Sequence, residues 1–116
     1  MRKRFEIELL PEAFNFIKRQ DLKARKKIFQ NLNRSKYSLD PTLFKKLNGD
    51  IWEFRTRYAG LQYRLLAFWD KDDKVETLVI ATHGFKKKTD KVNKREILKA
   101  DKIRLEYFKN KNNEEI

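Results

Sequence analysis

Residues 51–88 read IWEFRTRYAGLQYRLLAFWDKDDKVETLVIATHGFKKK, and this stretch decides the fold. Three apolar-rich segments are separated by two turn signals and followed by a run of lysines. The first segment, 51–58, alternates: Trp52, Phe54 and Tyr58 fall on one side, Glu53, Arg55 and Arg57 on the other. The second, 61–69, sets Tyr63, Leu65, Ala67 and Trp69 against Arg64, Leu66 and Phe68. Such period-two alternation predicts strands. A two-residue turn at Gly60-Leu61, with glycine first, suits a type II′ hairpin and pairs Arg57 with Arg64 and Arg55 with Leu66. A one-residue slip would send Arg64 among the aromatics, so the register that keeps all three arginines on one face is favoured.

The third segment, 75–83 (VETLVIATH), is nearly all apolar or β-branched and predicts a strand covered on both faces. If Asp70 to Asp73 form a four-residue turn, Thr77, Val79, Ala81 and His83 share the arginine face, with Leu78 and Ile80 opposite. Gly84 and Phe85 end this strand, and Lys86, Lys87 and Lys88 follow. Successive side chains diverge, so at least one of these lysines faces the arginines.

Upstream, Asn48-Gly49-Asp50 is a turn signal, Asp40-Pro41 breaks the chain, and 42–47 reads as a short helical turn with Leu43, Phe44 and Leu47 on one side. Residues 4–10 alternate Phe5, Ile7 and Leu9 with charged residues, as a half-buried strand does. Pro11 then opens a helix carrying Phe14 and Ile17, and Asp21 is placed to cap a second helix carrying Leu22, Ile28, Phe29 and Leu32. Arg19, Lys23, Arg25, Lys26 and Lys27 give this helical hairpin a cationic face, either a solvated surface or a surface for a polyanion. Downstream, Asn93 and Glu96 have capping-box spacing ahead of a helix that offers Ile97, Leu98, Ala100, Leu105, Tyr107 and Phe108 for packing. It should end near Phe108, leaving a polar tail from about 109. One α+β domain over 1–116 is the expectation: a strand and helical hairpin on a small, mainly antiparallel twisted sheet, with a C-terminal helix.

The chain has 116 residues, with 29 Lys+Arg against 17 Asp+Glu and a formal charge of +12. That excess favours polyanionic partners such as nucleic acid or an acidic protein. There are no cysteines and one histidine, so thiolate and histidine-rich metal sites are excluded. No apolar run approaches the ~20 residues of a membrane span. No Gly-rich phosphate loop, nucleophile elbow or paired-carboxylate pattern is present. We therefore expect a cytoplasmic protein that uses no metal and no cofactor.

Arginine makes planar, multidentate hydrogen bonds to phosphate and stays charged. Arg55, Arg57 and Arg64 on one face thus form a candidate phosphate site, although Glu53 could instead tie them into a cross-strand salt-bridge ladder. His83 is the one side chain whose ordinary pKa lies near neutrality, which makes it the first candidate acid or base. A lysine of the 86–88 run is the alternative base, and Glu53 a third.

This order of elements, with WEFR and YR in the first hairpin and HGFKKKT after the last strand, resembles the RelE/ParE-superfamily toxins. The likeness is greatest to the HigB-type, phage-derived branch of type II toxin–antitoxin systems. It runs from Phe5 to Tyr107 and is most specific over 47–89. The resemblance implies a metal-independent endoribonuclease that cuts mRNA on the translating ribosome and forms a hetero-oligomer with a cognate antitoxin, with no membrane association. By position it implies that Arg55, Arg57 and Arg64 are the basic strand residues of the site and that Lys86 and Lys87 stand where the last strand's basic contributor lies. With His83 as candidate acid or base, the expected catalytic set is Arg55, Arg57, Arg64, His83 and Lys87, and Lys86, Lys88, Lys45 and Lys46 are expected to contact RNA. Some relatives carry a tyrosine or histidine just past the lysines, where 89–93 (TDKVN) has neither. Other members of the superfamily inhibit DNA gyrase, and a non-catalytic basic binding module is a further alternative.

Overall fold

A computed structural model describes residues 2–71, 77–87 and 91–114. The elements follow in the order β1 (Glu6–Leu9), α1 (Pro11–Lys18), α2 (Leu22–Ser35), β2 (Phe44–Asn48), β3 (Ile51–Tyr58), β4 (Leu61–Asp70), β5 (Leu78–Lys87) and α3 (Lys94–Glu114). The strands form one sheet in the order β1-β5-β4-β3-β2, with β1 parallel to β5 and every other pair antiparallel. The architecture is α+β, as the sequence predicts. Among the described residues no helix is long and apolar enough to cross a membrane.

Helices α1 and α2 cover one face of the sheet. Ala13, Phe16, Ile17, Ala24, Ile28 and Leu32 pack there against Phe54, Tyr63, Leu65, Val79 and Ala81. Pro11 occupies the first turn of α1, and the Asp21 carboxylate accepts from the Ala24 N–H at 2.9 Å to cap α2. Phe14, Leu22 and Phe29, expected in the core, are exposed instead. The smaller Ala13 and Ala24 take the contact positions because they let the helices lie close to the strands. The opposite face is covered by α3, whose Ile97, Ala100, Tyr107 and Phe108 pack on Ile51, Leu66, Phe68 and Ile80. Leu98 and Leu105, also expected in this contact, are exposed. Helix α3 continues to Glu114, past the expected stop near Phe108. Its last turns are tied to the sheet by Tyr107 Oη and Lys111 Nζ, which donate to Asp70 Oδ2 at 2.7 and 2.8 Å.

Three local readings are corrected by the structure. Residues 44–48 form strand β2, not a helical turn, because Phe44 is drawn into an aromatic cluster, stacking on Phe54 and Trp52 at 4.3 and 4.9 Å. Such pairs contribute about 0.5–1.5 kcal/mol each beyond their buried area. Second, the β3–β4 turn is centred on Ala59-Gly60, with φ of 52° and 77°, and Tyr58 pairs with Leu61. Positive φ at both central positions is the type I′ geometry that fits strand twist. Arg55 therefore opposes Arg64, and Arg57 opposes Gln62. The register differs from the expected one by two residues, an even number, so every side chain keeps its face.

The third correction is a β-bulge. Leu66 pairs with His83 and Ala67 with Ala81, leaving Thr82 as the extra residue of β5. Below the bulge the faces are the reverse of those expected: Val79 and Ala81 pack with α1 and α2, and Ile80 packs with α3. Above it the faces switch, which puts His83, Phe85 and Lys87 on the arginine side. The start of the expected third strand, Val75 and Glu76, lies outside the described residues. Gly84, on the helical side, lies so close to α1 that a Cβ there would sit 2.3 Å from Phe16 Cδ2.

Candidate functional site

Arg55, Arg57 and Arg64 project from the central hairpin on one face and differ in exposure. Arg64 is only 1% exposed, Arg55 is half-buried and Arg57 is exposed. A guanidinium is buried in a sheet only if its charge and donors are met. Glu53, 2% exposed on the same face, meets the charge: its Oε1 lies 3.5 Å from both Arg64 Nη1 and Arg55 Nε. Arg64 Nη2 donates to the Gln62 side-chain oxygen. Burial pushes the Glu53 carboxyl above its usual range, against the opposing pull of Arg64, Arg55, Lys87 and Lys45. The cross-strand ladder foreseen as an alternative to phosphate binding is thus present, and it lies beneath an open cationic surface.

That surface is a cleft of about 340 Å³ lined by Lys27, Asn31, Arg34, Thr42, Leu43 and the three arginines. It forms where β2 stops and the outer edge of β3 meets α2 and the connector. The connector is held by the Arg55 backbone, whose N–H donates to Leu43 O at 2.8 Å, and by Arg55 Nη1, which donates to Pro41 O at 3.3 Å. Asn31 Nδ2 donates to Thr56 Oγ1 at 3.2 Å and fixes α2 over the strand. Among the described residues that line the cleft, five are cationic and none is a carboxylate. Walls of low dielectric concentrate such a field and attract anions. Lys27 belongs to the cationic helical face noted from the sequence, whereas Arg34 is not part of it. The sequence offers no signal beyond that stripe, which a solvated surface explains more simply.

The remaining sequence candidates distribute unevenly. Lys87 pairs with Gln62 on the arginine face and is half-buried, whereas Lys86 pairs with Tyr63 and points to the helical side. Lys88 lies outside the described residues. Lys45 pairs with Glu53 and so joins the arginine face, but its neighbour Lys46 pairs with Trp52 on the other side.

His83 shares the sheet face of the arginines yet is not part of the cleft. It is 2% exposed beneath the first turn of α3, with Nε2 3.5 Å from Glu96 Oε1 and Nδ1 2.9 Å from Thr82 Oγ1. Burial, then the Lys99 ammonium, lowers its pKa, against the pull of Glu96 and Glu12. His83 is thus on the face expected for it, and α3 covers that part of the face. Glu96, expected to close a capping box, turns toward His83 instead, and Asn93 Oδ1 accepts from the Arg95 N–H at 2.9 Å. Among the described residues no three His, Asp or Glu side chains gather into a set that could hold a metal ion.

A buried Glu–Arg ladder under an open cationic cleft is suited to binding a phosphodiester and to stabilising added charge on it. Comparison with curated proteins yields no match. Comparison with protein-family models matches residues 15–105 to one described as "Phage derived protein Gp49-like (DUF891)". That span takes in the second half of α1, all of α2, strands β2 to β5 and the first half of α3. The chain belongs to the Gp49-like (DUF891) phage-derived family, which is part of the RelE/HigB toxin superfamily.

Proposed function

We propose that this chain is the toxin of a type II toxin–antitoxin pair and cleaves mRNA at the arginine-lined cleft, on the translating ribosome. The observation that carries the reading is the cleft itself: five cations lining one open depression, with Arg64 and Arg55 held in place from below by Glu53. Family membership supports the toxin class and its pairing with an antitoxin.

In this reading the RNA 2′-oxygen attacks the adjacent phosphorus, the bond to the 5′-oxygen breaks, and the products are a 2′,3′-cyclic phosphate and a 5′-hydroxyl. Negative charge accumulates on the phosphoryl oxygens, where Arg55 and Arg57 donate, with Lys27 and Arg34 holding the flanking backbone. Preorganised donors of this kind account for several kcal/mol of barrier lowering each, about 2.7–4 for a single oxyanion donor. Lys87, on the same face, protonates the leaving 5′-oxygen. The 2′-hydroxyl proton passes to water, because no imidazole or carboxylate lines the cleft among the described residues. His83 holds α3 to the sheet and takes no part in the chemistry.

Expressing the chain alone and mapping RNA ends in the arrested cells tests this reading. New 5′-hydroxyl ends within messages are expected. DNA breaks with intact messages would replace it with gyrase inhibition. RNA retention without new ends would leave a binding module.

A further inference from the structure

A second cleft lies at the other end of the sheet. It has a volume of about 520 Å³, room for a nucleotide, and its lining includes Lys46, Trp52, Trp69, Lys71, Arg104 and Phe108. Both tryptophans of the chain are in it. They meet edge to face, 5.5 Å between ring centroids, and Phe44 stacks behind Trp52 at 4.9 Å, so the aromatic wall is rigid. Both indoles are half-buried, leaving part of each at the surface, while Lys46 and Lys71 are exposed at the rim. Lys71 Nζ sits 5.2 Å from the Trp69 ring centroid. Asp50 also lines the cleft, with Oδ2 3.5 Å from Arg104 Nη2, and Arg104 Nε donates to Asp101 at 2.9 Å. These carboxylates partly offset Arg104. A bare anion has no use for indoles, and an apolar ligand has none for lysines. Aromatic faces beside cations suit a base carrying its phosphate.

We propose that this cleft is a nucleotide subsite for a single-stranded nucleic acid, separate from the arginine cleft. The two are connected through β2. Lys45 and Lys46 are consecutive there, the first paired with Glu53 of the arginine face and the second with Trp52. Along β3, Trp52 and Arg57 are about 17 Å apart at ~3.4 Å per residue, a span a few nucleotides bridge. The proposal extends the RNA reading to how the strand is held. It is testable without cleavage, so the two fail separately.

The test uses a deoxyadenosine tetranucleotide, which lacks the attacking 2′-hydroxyl and stays intact, titrated into the full chain while tryptophan emission is followed. Saturable quenching is expected. An abasic tetranucleotide should bind at least tenfold more weakly, and Lys46→Glu with Lys71→Glu should weaken the base-bearing strand by a similar factor. Both substituted residues are exposed, so circular dichroism should show the fold unchanged. Unchanged emission overturns the subsite, as does equal binding of the abasic strand or full affinity in the double variant.

Discussion

Arg55 and Arg64 stand directly opposite each other across β3 and β4, and one oxygen of Glu53 lies 3.5 Å from both. Two like charges at a cross-strand position repel. The shared carboxylate offsets that repulsion and sets the distance between the guanidinium groups. The site's shape therefore depends on a residue that does not line the cleft.

Replacing Glu53 tests, through pH, a separate point: that the cost of burying its charge exceeds what the two guanidinium groups return. Burial raises the folded carboxyl above its ordinary value near 4.5. Its contribution to stability is therefore full below that value and is lost as pH rises through the raised one. The advantage of wild type over Glu53→Gln, read from urea midpoints between pH 4 and 8, should shrink as pH rises. An advantage constant across that range would contradict the assignment.

His83 gives the opposite sign. Its folded pKa is lowered from about 6.5, so the stability it contributes is present above that value and lost as pH falls through the lowered one. The facing groups are Glu96, Lys99 and Glu12, with Thr82 on the other nitrogen. His83→Gln should keep its cleavage rate within about a factor of two and lose less stability than wild type between pH 7 and 5. A folded variant that no longer cuts would return His83 to the chemistry.

Gly84→Ala should be destabilised by about 1–3 kcal/mol in urea unfolding, because the new methyl group meets both Phe16 and Leu65. Shortening the obstructing ring with Phe16→Leu should recover part of that loss. A neutral Gly84→Ala would mean that α1 lies farther from β5.

Ala59 occupies the first central turn position at φ 52°, where its Cβ is strained. Ala59→Gly should raise the thermal midpoint, corresponding to about 1 kcal/mol of relieved strain. No gain would place the turn elsewhere.

The sequence made the arginine face legible because parity, not register, decides it. A turn misplaced by two residues still left Arg55, Arg57 and Arg64 together. The same reasoning failed below Thr82, since a bulge changes parity and nothing in VETLVIATH marks one. It also failed for β2, whose short FKKLN run takes strand form only through the stacking of Phe44. The burial of His83 was not legible for a different reason: alternation assigns its face correctly, but how far α3 extends over that face is a tertiary matter. The second cleft was hidden because Lys46, Trp69, Lys71 and Arg104 come together only when β2, β4 and α3 are packed.

The central claim is that the arginine cleft cuts RNA, and Arg57 tests it most cleanly because it is exposed and lines the cleft. The measurement is message cleavage in a translating extract by wild type and Arg57→Ala, with thermal midpoints matched. The account predicts a drop of roughly a hundredfold or more in new 5′-hydroxyl ends with the midpoint unchanged. Cleavage by the variant at the wild-type rate would contradict it.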